Sequence, residues 1–474
     1  MNETDITFLK SIVGEKAIST RGADLDAHAS DESAHPPHRP EVVVWPQDVE
    51  QISEILRYAN HRRIPVTARG GGSSLEGNPI PIFGGVVLAM YHWNKVLEIV
   101  PEDLRVRVQP GVVYQTLNEQ LRPYSLFFPP APGSAEVATI GGMVANGSSG
   151  MHSVKYGVTG DYVLRLQIVL PTGKIITVGS NAVKSASGYN LVRLFVGSEG
   201  TLGIITEITL RLRGLPEKIV AAVGRFATVR QVTNTVSEII RYGLLPAAME
   251  LLDPVIIRTI NSYLQMNLDE VPTLFLEFHG TAGGVAEETE LAREICMDNG
   301  CVSFIRAEDP EERARLWKAR SEAHNAVKFS NVNFRVEIGD IVVPISRYPE
   351  AVDHIYQLAQ QHNVQIATFG HAGDGNLHVE ILAQKGNIEE RAQVDAFNAA
   401  MVRYAIQLGG TATGEHGVGI GKREFMPLEH GPSLELMRDI KRLIDPNGIL
   451  NPGKIFPPLV NGEQIYQADI ALPD

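Results

Sequence analysis

The sequence predicts a mixed α+β molecule: an α/β opening, a second α+β domain, and a short closing segment. Three observations predict it. The chain has 474 residues with 44% hydrophobic content, more than one core usually organises. From Pro40, short β-like runs alternate with helical patterns punctuated by glycine and proline. After Pro216 the texture shifts to longer amphipathic helices interleaved with strands. The expected divisions are 1–215, 216–430 and 431–474.

In order, EVVVW reads as a strand, Asp48 to His61 as a helix, and IPVTA as a strand leading into RGGGSS. GGVVLAM and LRVRVQPGV are further strands, Val113 to Leu121 a helix, and Ile140 to Gly160 a glycine-dense tract. YVLRLQIVLPTGKIITVG reads as a hairpin over Pro171-Thr172-Gly173, and TLGIITEITLRLRG closes the first domain near Gly214. Beyond it, helices are expected over Val229 to Tyr242 and Ala286 to Asn299, with strands at PTLFLEFHG and FRVEIGDIVVP. A last helix, Leu434 to Leu443, takes Ser433 as its N-cap and stops at Asp445-Pro446-Asn447-Gly448.

Composition narrows the function. A formal charge of −13, with no basic run interleaved with aromatics, argues against a nucleic-acid partner. No stretch of about 18 apolar residues is present, so no transmembrane segment is expected. Glu3, Asp5 and Glu15 make the first residues unlike a targeting peptide. A cytoplasmic location, or one peripheral to the inner membrane, is the expectation. The two cysteines, Cys296 and Cys301, are too few for a disulfide framework or a Cys-ligated cluster.

Arg69-Gly70-Gly71-Gly72-Ser73-Ser74 follows a predicted strand, and successive glycines let backbone N–H groups approach a pyrophosphate. A nicotinamide fingerprint is disfavoured, since Leu75 stands where its third glycine belongs. One such run is more often a turn. Two more tracts strengthen the cofactor reading: Pro132-Gly133-Ser134 running on to IGGMVANG (140–147), and VGSEGTLG (196–203). With KSASGYNL (184–191), they resemble the FAD-binding domain of the vanillyl-alcohol-oxidase and p-cresol-methylhydroxylase type over most of Pro40 to Gly214. The resemblance implies a two-lobed FAD-binding domain followed by an α+β cap domain with an antiparallel sheet. It assigns Arg69, Gly70, Gly71, Gly72, Ser73, Ser74, Asn78, Pro132, Gly133, Thr139, Gly142, Asn146, Ser149, Gly150 and Gly203 to the flavin site. Some relatives carry a flavin-linking histidine after the glycine run, whereas this chain has Ser73 and Ser74; non-covalent FAD is expected.

In Phe369-Gly370-His371-Ala372-Gly373-Asp374-Gly375-Asn376-Leu377-His378, the Gly-Asp-Gly-Asn run is a tight turn that folds both imidazoles inward. Gly414-Glu415-His416-Gly417 offers a carboxylate beside a third histidine. His371, His378 and Glu415 suit a borderline divalent ion, zinc first, with manganese or iron as alternatives. HxGDGNLH and GEHGxG resemble motifs of the D-lactate, D-2-hydroxyglutarate and glycolate dehydrogenase branch of these flavoproteins. That resemblance implies that the three residues bind a metal and that His416 acts as base. It extends to IDPNGILNPGK (444–454).

The implied reaction oxidises a D-2-hydroxy acid, D-lactate being the best match, with the metal acidifying the hydroxyl and His416 taking its proton. Arg320 is expected to clamp the carboxylate in a bidentate fork. Hydroxyglutarate would need a second cation, but Ile338 stands where the hydroxyglutarate enzymes have lysine, and Glu380 replaces an asparagine. Arg335 or Lys328 could supply that cation instead. D-2-hydroxyglutarate dehydrogenase and a glycolate dehydrogenase FAD subunit remain alternatives, with a non-redox flavin transferase and a metallohydrolase more remote. Electrons would leave to a cytochrome, a quinone or an electron-transfer flavoprotein. A homodimer is an open expectation.

Overall fold

The computed structural model describes residues 1–458. Valine-rich runs build its first sheet, in the order Ile18–Ser19, Val42–Val44, Val86–Ala89, Val66–Arg69. The last three strands run parallel. Helix Val49–Arg62 crosses between two of them, its Asp48 cap accepting from Gln51 N at 2.8 Å. Its apolar face, Ile52, Ile55 and Leu56, is fully buried against the sheet.

An antiparallel five-stranded sheet follows: Val96–Val100, Arg105–Val108, Ile204–Arg211, Val163–Val169, Ile175–Gly179. Its last pair is the expected hairpin, with Gly173 at φ +80°, a conformation glycine adopts freely. Inside the glycine-dense tract a helix forms over Ile140–Asn146, because Thr139 accepts from Gly142 N and Ile140, Met143 and Val144 are buried. Glycine lowers helix propensity, so packing decides here.

From Lys218 onward the chain builds an antiparallel seven-stranded sheet, ordered Cys301–Ala307, Lys218–Phe226, Thr273–Gly280, Ala248–Leu252, Gln365–His371, Asn376–Gln384, Phe334–Val342. One face packs on helices Val229–Arg241, Ala282–Asp298, Tyr348–Gln361 and Ile388–Gln407. The helix expected from Ala286 starts at Ala282, capped by the Thr281 hydroxyl.

Ser433 does not cap the last helix. That helix spans Ser433–Ile444 with Pro432 at the cap position, and the Ser433 hydroxyl donates back to His430 O at 2.7 Å. Gly431, at φ +51°, ends the preceding short helix Met426–His430, and Pro432 re-enters the helical region at once, leaving no extended residue at the cap position. Beyond it the chain returns to the first sheet: Leu450 bridges Val66 in parallel, and Asn451 Nδ2 donates to Asn78 O and Glu199 O. The closing segment expected over 431–474 is described as far as residue 458.

Among the described residues no helix is long and apolar enough to cross a membrane. Cys296 and Cys301 are buried and free.

Candidate active site

Between the glycine loops and the seven-stranded sheet lies a cavity of about 760 Å³. Residues 69–74, Asn78, Pro132, Gly133, Thr139, Gly142, Asn146 and Gly203 line one side. Arg320, His371, His378, Glu415 and His416 line the other. Ser149 and Gly150 stand apart from the cavity lining: the Ser149 hydroxyl donates to Glu415 Oε2 at 3.0 Å, and Gly150 packs where a Cβ would meet Ala131 O at 1.9 Å.

The glycine side is shaped by close backbone approach. A Cβ on Gly71 would sit 2.1 Å from Val137 O, and Gly72 has φ +75°. The Arg69 side chain folds over Gly72 and donates to Ser30 O at 2.7 Å. Such loops fit the pyrophosphate and sugar of a dinucleotide.

On the sheet side, Phe369 pairs with His378 across the hairpin, so the tight turn brings both histidines to one end of it. His371 Nε2 and His378 Nε2 lie 3.2 and 3.3 Å from the same oxygen, Glu415 Oε1. The ligand atoms of these three residues all lie within 4.8 Å of one another. Two imidazoles and a carboxylate of this kind fit a divalent ion. His416 stacks on His378, ring centroids 5.2 Å apart, with Nε2 3.9 Å from Glu415 Oε1. The ring Nδ1 atoms of His378 and His416 are buried without hydrogen-bond partners.

Residues the sequence did not single out hold these groups in place. Glu250, fully buried in strand Ala248–Leu252 opposite His371, accepts from His371 Nδ1 at 2.8 Å and from the Arg320 guanidinium at 2.6 Å. A carboxylate behind an imidazole orients the ring with Nε2 turned toward Glu415, where a bound ion would take the place of the proton. Arg320 also stacks on Phe369 at 4.8 Å. Asp340, equally buried, accepts from Gly414 N, Glu415 N, His416 N and Thr413 Oγ1, and through its other oxygen from Asn376 Nδ2. Glu199 accepts from Val418 N at 2.6 Å and Gly419 N at 2.9 Å. Thus the loop bearing Glu415 and His416 is held by carboxylates from two other segments.

Charge follows from this. Burial works against the His371 cation, but Glu250 and Glu415 overcome it and push the imidazole up to about 10. For His416 burial wins over Asp340, and the ring is held down at about 4, neutral at pH 7. Burial opposes ionisation of Glu415 too, yet the His371 and His378 imidazoles carry its carboxyl well below the usual range.

The residues debated for substrate length are placed as follows. Ile338 and Lys328 both line the cavity, with Lys328 paired to Glu32 at 2.6 Å. Arg335 pairs with Glu337 at 2.9 Å outside the lining. Glu380 is fully buried and paired with His324 Nδ1 at 2.8 Å.

A family model described as "FAD binding domain" matches residues 40–179, and one described as "FAD linked oxidases, C-terminal domain" matches residues 215–455. The chain is 40% identical to the Arabidopsis thaliana protein named "D-lactate dehydrogenase [cytochrome], mitochondrial", covering 89% of this chain and 74% of that one. It is 37% identical to the Bacillus subtilis "Glycolate oxidase subunit GlcD", covering 88% and 89%. In fold it is similar to p-cresol methylhydroxylase, with TM-score 0.80 at 16% identity over 96% of this chain and 97% of that one. The expected p-cresol-methylhydroxylase type of α+β fold is therefore correct.

Proposed function

Because the chain belongs to the FAD-linked oxidases and is an FAD-dependent oxidoreductase, we propose that it oxidises a short D-2-hydroxy acid, D-lactate to pyruvate, on non-covalent FAD. One observation carries the proposal: His371, His378 and Glu415 converge beside a buried neutral His416 in a cavity whose opposite wall is the glycine loops.

When bound, FAD supplies the hydride acceptor, and a divalent ion held by His371, His378 and Glu415 supplies a Lewis acid for the hydroxyl. His416 takes the hydroxyl proton at its ring nitrogen, being neutral at working pH. Asp340, 3.9 Å from His416 Nδ1, stabilises the imidazolium that results. Arg320 holds the substrate carboxylate, its guanidinium pre-aimed by Glu250 and Phe369. Asn146 Nδ2 donates to His416 O at 3.3 Å, tying the base to the glycine wall. Ile338 and the neutralised Lys328–Glu32 pair offer a second carboxylate little welcome, which favours a monocarboxylate. The cytochrome in the Arabidopsis relative's name favours a cytochrome as electron acceptor, and a cytoplasmic location and a homodimer complete the proposal.

The test is the visible spectrum of the purified chain without oxygen. A yellow protein bleached by D-lactate but not L-lactate, with the rate lost on chelation and restored by zinc, is expected. Bleaching by D-2-hydroxyglutarate or glycolate alone would overturn the substrate, and chelator-insensitive bleaching would overturn the metal.

A further inference from the structure

Away from the cavity a second set of donors converges. Glu277 and His279 stand two residues apart on strand Thr273–Gly280, so both leave the same face of the sheet. Glu277 pairs with Ala248, and Glu250, two residues further along that strand, pairs with His371. The shared face is therefore the one bearing Glu250 and His371. Opposite stands His152, immediately after Met151, which lines the flavin cavity.

His279 Nε2 lies 2.8 Å, and His152 Nε2 3.3 Å, from the same atom, Glu277 Oε1. The three ligand atoms fall within 4.8 Å of one another. This is the donor set and arrangement of His371, His378 and Glu415, built from different residues.

The outer ring nitrogens sharpen the reading. His152 Nδ1 is 3.3 Å from Pro129 O. A carbonyl only accepts, so Nδ1 donates to it and Nε2 is the nitrogen turned toward Glu277. His279 Nδ1 is likewise oriented by the Tyr156 hydroxyl at 2.9 Å. Imidazoles whose outer nitrogens are held in this way present the other nitrogen to an ion. Lys155, the neighbouring cation, is spent on the backbone carbonyl of His279 at 2.6 Å. The His152 side chain is 22% exposed, leaving an entry path and room for a water ligand.

We propose that His152, Glu277 and His279 form a second divalent-metal site, of the zinc class, that fastens the loop wall of the flavin cavity to the seven-stranded sheet. His152 lies more than a hundred residues from Glu277 and His279 in sequence, so the ion acts as a crosslink between the two.

The full-length chain is stripped with chelator, dialysed against zinc alone, and its zinc measured per chain in the wild type, His152→Ala, His378→Ala and the double variant. About two, one, one and no equivalents are expected. Cobalt loaded into His378→Ala reports the site spectroscopically, and its ligand-field bands are expected to vanish on adding His152→Ala. Should the first site hold no metal, His378→Ala would match the wild type while His152→Ala lost all zinc, which still supports this proposal. Equal zinc in wild type and His152→Ala, or no cobalt bands in His378→Ala, would overturn it and leave a protonated His152 bridging to Glu277.

Discussion

The two walls of the flavin cavity are made of different material. Between residues 69 and 203 the wall is largely main chain brought close by missing side chains, as at Gly71 against Val137 O. Between residues 320 and 416 it is a packed set of ionisable side chains, each oriented by another: Glu250 behind His371 and Arg320, Asp340 beneath the Glu415–His416 loop. The first wall depends on backbone geometry, so an added methyl group damages it. The second depends on compensated charge, so a lost oxygen damages it.

The sharpest way to break this contrast is Asp340→Ala. Three backbone N–H groups of residues 414–416 and the Thr413 hydroxyl lose the carboxylate, and the Asn376 amide keeps only Ile341 O, and stability should fall by about 3–5 kcal/mol. Urea denaturation measures it, and an unchanged midpoint would mean that the loop is held by other contacts. Glu250→Gln comes next. It keeps an acceptor for His371 but strips Arg320 of its counter-charge, and metal affinity should weaken about 10–100-fold with flavin content unchanged, as read by competition with a chromophoric chelator. Gly71→Ala tests the other wall: a Cβ 2.1 Å from Val137 O should cost about 1–3 kcal/mol and lower flavin retention on gel filtration, leaving zinc content intact.

The smallest effect concerns His35, half-buried beside Gly421. Burial first, then the charges of Arg335 and Arg423, hold its imidazole down at about 4. Between pH 6.5 and 4 the unfolded chain binds more protons than the folded one, so this residue's contribution is full above pH 6.5 and is lost as pH falls toward 4. His35→Gln should therefore narrow the drop in Tm between pH 7 and pH 4.5; an identical drop would show that His35 plays no part in it.

The same contrast explains what could be read from the sequence. Glycine runs and the HxGDGNLH and GEHGxG blocks are local, so Gly70, His371, His378 and Glu415 could be picked out as neighbours in sequence before they were neighbours in space. The sheet order is not local, and Glu250 meets His371 only because strand Ala248–Leu252 pairs with strand Gln365–His371. Nothing in the run AMELLDP marks Glu250 as more than a strand residue. Asp340 is equally unmarked in the run FRVEIGDIVVP, since its five donors come from two other segments, Asn376 and residues 413–416. The resemblance, not the residue pattern, assigns Ser149 to the flavin site; in the structure its hydroxyl turns to Glu415. Ser433 failed as a cap because Pro432 before it already lies in the helical region, so Ser433 is the first helical residue.

The return of the chain to its first sheet bears on how the protein is made. Thr67 and Asn451, 384 positions apart, touch, and Val66 N donates to Ile449 O at 2.7 Å beside them. A ribosome adding about 5–20 residues per second needs roughly 20–80 s to span that interval. During that time the edge at Val66 has no neighbour, and the glycine loop that continues from its strand lacks its final brace. The loop is thus braced only after residues 449–451 have been added, long after the strand that leads into it.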